Sequence, residues 1–131
     1  MGGRDMGERD IVVLLREMRP VLSDSAYGIA VWGESPLALK PFATVAEAEG
    51  LTVVAGLAEM KAVGMDPNPW ARISLTIRSD LSAVGLTATI SGALAAAGIS
   101  ANVIAGYHHD HIFVPWERRY DALAVLRELS E

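Results

Sequence analysis

The sequence predicts an α+β protein in which helices pack on one face of an antiparallel sheet. The segment RISLTIR, at residues 72–78, alternates strictly between polar and apolar side chains, as a half-buried strand does. Apolar residues then follow a helical spacing as far as Ala97, and Gly98 stands where the left-handed residue of a helix C-terminus is expected. A half-buried strand followed directly by a helix of small apolar residues indicates a sheet that helices cover on one side.

The first half of the chain is expected to contribute two helices and two strands. Ile11, Leu14, Leu15 and Met18 recur at helical spacing, which predicts a helix over residues 10–19 that Pro20 ends. The remaining elements are a strand over Tyr27–Trp32, a mostly loop segment over 33–49, a strand over Leu51–Ala55 and a weak helix near 57–63. The segment GMDPNP, from Gly64 to Pro69, is then the clearest break in the chain.

The second half is expected to run strand, helix, strand, strand, helix. After the first strand and helix come a strand over Ile99–Ala105, the short strand HIFV and a last helix over Glu117–Leu129. This order is a ferredoxin-like unit without its final strand, and the first half matches such a unit without its first strand. Strands of the first half are therefore predicted to complete the sheet edge that the second half leaves open. We assign residues 1–9 to a flexible N-terminus, 10–68 to the first half and 69–131 to the second.

The composition is that of a globular protein with a core, and it excludes several classes. Of the 131 residues, 51% are apolar, and a net charge of −5 with scattered basic residues argues against nucleic-acid binding. The chain has no cysteine, which excludes disulfides, thiolate metal sites and a cysteine nucleophile. No segment has the length of a membrane span, and the charged, glycine-rich first residues lack the apolar stretch of a signal peptide. We expect a cytoplasmic protein that binds neither nucleic acid nor membrane.

The segment RISLTIRSDLSAVGLTATISGALAAAGISANVIAG resembles the first strand, loop, helix and second strand of an ACT domain. The shared features are Gly85-Leu86 at the start of a helix of small residues, an Ala-Gly-Ile turn, and Asn102 in the following strand. Two further segments, Glu49–Val54 and GYHHDHIFVP, resemble parts of small bacterial stand-alone proteins with paired ACT-like halves. Val84 stands where many regulatory ACT domains have a proline. The resemblance implies a ferredoxin-like ACT tandem, with antiparallel sheets and helices on one face.

The same resemblance implies a ligand and a site. ACT domains typically bind amino acids or other small effectors and pair side by side, so a homo-oligomer that binds an amino acid is implied. Carried onto this chain, the implied site consists of Ser79, Asp80, Val84, Gly85 and Leu86, with Asn102 on the facing strand. The N–H groups of a helix N-terminus suit a carboxylate, and Asp80 could meet an ammonium group. Each residue also has a structural interpretation, since Asp80 or Ser82 can cap the helix, Gly85 can permit close packing, and Asn102 can lie on a polar sheet face.

All three histidines lie in the segment GYHHDHIFVP, around Asp110. On an extended strand His109 and His111 point to one face and could share a metal ion, but a zinc site normally needs three or four protein ligands. A His–Asp pair also suits acid–base catalysis, although no nucleophile motif accompanies it. The remaining interpretation is a β-turn between paired strands, with Asp110 favouring the turn.

The sequence therefore favours a non-catalytic sensor of a small molecule, above all an amino acid. We assign no catalytic residue, no metal ligand and no cofactor, although an enzymatic role stays open. Two alternatives remain: a metal-binding protein or metal-dependent enzyme built on the HHDH turn, and an ACT-like assembly module without a ligand.

Overall fold

The computed structural model describes residues 11–33, 37–76 and 85–131. Four helices are present in this part of the chain: α1 (residues 11–17), α2 (Leu57–Ala62), α3 (Leu86–Ala96) and α4 (Arg119–Leu129), the last preceded by a single 3₁₀ turn (Trp116–Arg118). The strands are β1 (Pro20–Leu22), β2 (Tyr27–Trp32), β3 (Ala43–Glu47), β4 (Gly50–Gly56), β5 (Trp70–Leu75), β6 (Asn102–Ala105) and β7 (Asp110–Pro115). The flexible N-terminus predicted for residues 1–9 lies outside the described residues.

All of these strands form one antiparallel sheet. Its order is β3-β4-β2-β5-β7-β6, and β1 pairs with β5 on the same side as β2 does. The sequence-based prediction of an antiparallel α+β fold is therefore confirmed.

Strand β1 completes the second half of the molecule, as the element order predicted. The order β1-β5-β7-β6 gives the second half a fourth strand, which comes from the first half. The ladder runs from Pro20 opposite Leu75 to Leu22 opposite Ile73, and the Ser23 N–H extends it by donating to the Arg72 carbonyl. This edge of β5 is therefore paired, which removes an exposed row of backbone N–H and carbonyl groups.

The secondary-structure elements of the first half differ from the prediction in two places. Strand β3 lies within residues 33–49, a segment predicted to be mostly loop, and β1 begins at Pro20, which was predicted only to end a helix. Most of the β3 side chains are exposed, so the strand carries none of the apolar alternation that reveals a half-buried strand. Strand β1 has three residues and is defined by its partner, β5, more than by its own sequence.

The helices cover a single face of the sheet, as predicted. Helices α3 and α4 pack over a core that includes Ile73, Leu75, Leu94, Ile112 and Leu126, all at most 1% exposed. A smaller cluster surrounds Met60 of α2 and two residues of β4. Tyr27 is paired with Trp70, so these two residues share one face of the sheet. The residues after them, Gly28 and Ala71, therefore both face the helix side, and the two clusters lie on the same face.

The C-terminus of α3 forms as its sequence predicts. Gly98 has a φ of 74°, and the Ile99 and Gly98 N–H groups donate to the Leu94 and Ala95 carbonyls, which is the Schellman arrangement. Arg118 donates to the Ala97 and Gly98 carbonyls from the start of α4. Ile99 is buried in this turn, and β6 begins only at Asn102, three residues later than predicted.

Candidate functional site

The N-terminus of α3 begins at a glycine in a left-handed backbone conformation. Gly85 has a φ of 91° and occupies the N-cap position, where its carbonyl accepts from the Thr89 N–H. Gly85 has no side chain that could cap the helix, no other described residue supplies one, and the first turn holds no acidic residue. A side chain at this position would be strained by the positive φ and would approach Ile11 of α1 to 3.0 Å. This end of α3 therefore offers backbone N–H groups and a partial positive charge to an anion.

Gly85 and Leu86, both predicted to contact a ligand, have different roles at this end of the helix. The Leu86 side chain is 2% exposed and belongs to the main core, so only its backbone can reach a ligand. The exposed residues of the first turn are Thr87 and Ala88. Ser79, Asp80 and Val84, the other predicted residues of this loop, lie outside the described residues.

A shallow depression lies between α3 and the sheet, beside Thr87. Its polar members are Thr87 and Asp110, and its remaining lining is apolar, namely Leu75, Ile90, Val103 and Ile112. Asp110 is the first residue of β7 and shares the helix-covered face with Ile112. The sequence interpretation missed this contact, because Asp110 was assigned to a turn, whereas the strand register aims it at α3. A carboxylate and a hydroxyl thus lie at the rim of an apolar surface, next to the N-terminus of α3.

Asn102 lies on the opposite face of the sheet. It is exposed and pairs with Phe113, whereas its neighbour Val103 pairs with Ile112 on the helix side. Strand β6, which carries Asn102, is at one end of the strand order. Within a single chain the fold therefore separates Asn102 from the start of α3, although both were predicted for one site.

The histidine segment forms a tight hairpin between β6 and β7. The Gly106 N–H donates to the His109 carbonyl, which leaves exposed Tyr107 and His108 at the tip. The sequence interpretation expected paired strands joined by a turn, and this is confirmed, but Asp110 is in β7 rather than in the turn. Across the three described ranges, no group of three or more His, Cys, Asp or Glu side chains is arranged to hold a metal ion.

The His111 side chain lies on the helix-free face of the sheet. Its Nδ1 shares a hydrogen bond of 2.7 Å with the Ser74 hydroxyl, and its ring meets the edge of Phe42 at a centroid distance of 4.9 Å. Burial, followed by the positive charges of Arg72 and His109, lowers the pKa of His111 below its usual 6.5, against a smaller opposing effect of Asp110. His111 is therefore neutral at neutral pH.

Arg72 occupies the centre of an aromatic cluster on the same face. Its guanidinium carbon lies 5.0 Å from the ring centroid of Tyr27 and 4.7 Å from that of Phe42. Phe113 is completely buried against both rings, with centroid distances of 5.6 and 5.7 Å. The Arg72 Nε is buried and has no hydrogen-bond partner among the described residues, whereas the aromatic rings contact the guanidinium directly. The cluster joins the two halves, because Phe42 precedes β3 and Phe113 lies in β7.

Two protein-family models match the chain, and both describe an ACT domain. One covers residues 6–72, half of the chain, and the other covers residues 67–128. This chain belongs to the ACT domain family. The match of ACT domains to both parts of the chain confirms the tandem architecture that the sequence resemblance implied. Membership in the family supports a regulatory, ligand-binding role, because ACT domains bind small-molecule effectors and often oligomerise.

Solved structures agree with the ACT assignment. A Vibrio cholerae protein of unknown function, described as a possible transport protein, is 41% identical, with a TM-score of 0.80 over 92% of this chain and 96% of its own. An Agrobacterium tumefaciens protein is 18% identical, with a TM-score of 0.67 over 81% of this chain and 84% of its own. The regulatory subunit of aspartate kinase from Thermus thermophilus, in a ligand-free form, is 12% identical, with a TM-score of 0.61 over 86% and 96% of the two chains. The last two likenesses concern the fold alone.

No curated protein matches the sequence of this ACT protein. Among the helices of the described residues, none has the length and apolarity needed to cross a membrane.

Proposed function

We propose that this ACT protein is a non-catalytic sensor that binds an amino acid at the start of α3. One observation carries the proposal: α3 begins at Gly85 in a left-handed conformation, where the N-cap residue has no side chain and the first turn holds no acidic residue. Among the residues that the structure describes, no side chain accepts from the backbone N–H groups of that turn. In a family of effector-binding domains, this helix end is a suitable partner for an amino-acid carboxylate.

The surroundings supply partners for the rest of an amino acid. The Thr87 hydroxyl can donate to the ligand carboxylate, and the Asp110 carboxylate can accept from its ammonium group. Asp80 is a second candidate for the ammonium partner, and the sequence places it five residues before Gly85. Val103, the one half-buried apolar residue among those that line the depression, can contact an aliphatic ligand side chain.

The remaining predicted residue lies where a second chain could pair with the sheet. Asn102 lies on β6, an end strand of the sheet, so a second copy that pairs along this edge can approach both Asn102 and the neighbouring loops. We therefore propose a homodimer whose formation or stability responds to the ligand. Cytoplasmic location remains a prediction, consistent with a chain that contains no cysteine.

The proposal is tested by melting temperature in the presence of each common amino acid. An amino acid at a hundredfold its dissociation constant adds about 2.7 kcal/mol to the free energy of unfolding if it binds only the folded state. Asp110→Asn and Asp80→Ala are separate arms that identify the ammonium partner, and Asp24→Asn, in an exposed bend, is the matched control. A response that disappears in one arm and persists in the control supports the sensor.

Other outcomes point to the rival functions. A zinc or nickel response that is abolished by chelator and by His109→Ala would support the metal-binding alternative. If no amino acid and no metal changes the melting temperature, the sensor proposal is wrong and the assembly module remains.

A further inference from the structure

The linker between α2 and β5 forms an ordered wall beside strand β2. Pro67 packs directly against Gly28, where an added methyl group would overlap the proline ring and approach the Met60 sulfur to 2.7 Å. The Met65 N–H donates to the Met60 carbonyl, which fixes the start of the linker, and the Pro69 carbonyl accepts from the Trp116 N–H. The segment GMDPNP, which the sequence indicated only as a break, is thus held at both ends.

Strands β2 and β5 diverge directly after their single paired position. Tyr27 is opposite Trp70, and the same register would place Asn68 opposite Ile29, but β5 begins only at Trp70. Asn68 lies between Pro67 and Pro69, which have no backbone N–H to donate to a ladder. The gap between the two halves therefore follows from the two prolines.

The backbone of Ile29 faces this gap with its hydrogen-bonding groups unused by the described residues. The Leu57 N–H donates to the Ala26 carbonyl, which continues the β2–β4 ladder and identifies Ala26 as directed towards β4. Because the direction alternates along a strand, Ile29 points its N–H and carbonyl away from β4, towards the gap. No described residue donates to or accepts from these two groups.

An open cavity of about 510 Å³, widely exposed to solvent, occupies the gap. Its walls are Ile29, Ala30, Met65, Pro67 and Trp70, with two polar side chains, Asp66 and Asn68. Asp66 is the one ionisable group in this lining, so the cavity favours a cation. The gap thus brings together unused backbone groups, one carboxylate, one amide and an apolar wall.

We infer that this junction cavity is a second ligand site, separate from the start of α3, and that it binds a free α-amino acid with an aliphatic side chain. The amino acid lies opposite Ile29 as a strand of one residue. Its carboxylate accepts from the Ile29 N–H, and its ammonium group donates to the Ile29 carbonyl and to Asp66. Its side chain packs on Trp70, which shares the sheet face of the Ile29 side chain. Occupancy bridges the two halves at the position that the prolines leave unpaired.

The test is an NMR titration of the full chain with L-leucine, which follows assigned backbone amides and the Trp70 indole. We expect saturable shifts at Ile29, at the Asn68 side-chain amide and at the Trp70 indole. N-acetyl-leucine, which lacks the ammonium group, and 3-methylbutylamine, which lacks the carboxylate, should each bind at least about tenfold more weakly, because each loses a charge-assisted hydrogen bond.

Asp66→Asn keeps the shape of the side chain and should also weaken leucine binding about tenfold, whereas Asp24→Asn should leave it unchanged. The inference is overturned if leucine leaves the junction signals in place, or if Asp66→Asn binds leucine as tightly as the wild type does. Shifts confined to Leu86 and Thr87 would refute the junction site and leave the sensor proposal standing. Shifts confined to the junction would support the junction site and show that leucine is not the ligand at the start of α3.

Discussion

At Gly85 the backbone adopts a φ of 91°, a conformation that only glycine adopts at little cost. This residue marks the start of α3, and it also brings Ile11 close to the helix end. Arg72 and His111 also depend on their neighbours. On the face that the described helices leave uncovered, the Arg72 guanidinium lies among aromatic rings and the His111 imidazole bonds to a serine hydroxyl. Single residues on both faces of the sheet therefore connect segments that are distant in the sequence.

Replacing Gly85 by alanine should lower the free energy of unfolding by about 1–2 kcal/mol, the cost of a left-handed conformation for a residue with a Cβ. Gly92→Ala is the matched control, since Gly92 is an exposed position of the same helix where a Cβ meets nothing within 4 Å. It should be neutral or stabilising by up to about 1 kcal/mol. Urea unfolding of the two variants measures the difference, and equal stability would show that Gly85 is not held at positive φ.

His111 should make stability depend on pH. Its pKa is lowered in the folded protein, so the unfolded chain binds the proton more tightly, and stability must decrease as the pH falls below 6.5 towards the lowered value. Above 6.5 this contribution is fully present. His111→Phe should remove that part of the pH dependence, whereas His108→Gln, at the exposed hairpin tip, should retain it. Urea unfolding across this range tests the prediction, and an unchanged slope in His111→Phe would contradict it.

Strand β1 shows how the elements of the two halves depend on each other. It supplies the missing strand of the second half, although its three residues belong to the first. The Ser23 N–H donates to Arg72, so by alternation the Val21 N–H also points to β5, opposite Ser74. The Val21 side chain is 53% exposed, which makes this position a test of backbone pairing alone.

Val21→Pro should lower the free energy of unfolding by about 1–3 kcal/mol, because it removes one ladder donor and leaves a β5 carbonyl without its partner. Val21→Thr keeps the donor and should be close to neutral. Chemical unfolding of both variants measures the effect. If Val21→Pro is as stable as Val21→Thr, β1 does not contribute to the sheet.

Elements whose apolar residues recur at a regular spacing could be predicted from the sequence. Elements that exist because they pair with another strand could not. The alternation around Ile73 and Leu75 and the glycine at position 98 correctly indicated β5 and the end of α3. Strand β3 was missed because its side chains are largely exposed. The depression beside Thr87 could not be predicted, because the contribution of Asp110 depends on the register between β6 and β7, which no local pattern encodes.

The whole molecule is one sheet built from two ACT units, covered by helices on one face. Two strand pairs join the units, since β1 pairs with β5 along its length and β2 pairs with β5 at a single position. A ligand at the start of α3 and another at the junction would both act on β5, because Leu75 lines the depression and Trp70 lines the junction cavity. This shared strand gives ligand binding a structural route to both halves.

The central claim is that a ligand binds at the start of α3. Its most direct test follows the backbone amide signals of Leu86, Thr87 and Ala88 while the protein is titrated with a mixture of the common amino acids. We predict saturable shifts of these three amides, which the single active amino acid reproduces and which Asp110→Asn or Asp80→Ala weakens. Amide signals of this turn that stay in place throughout the titration would contradict the account.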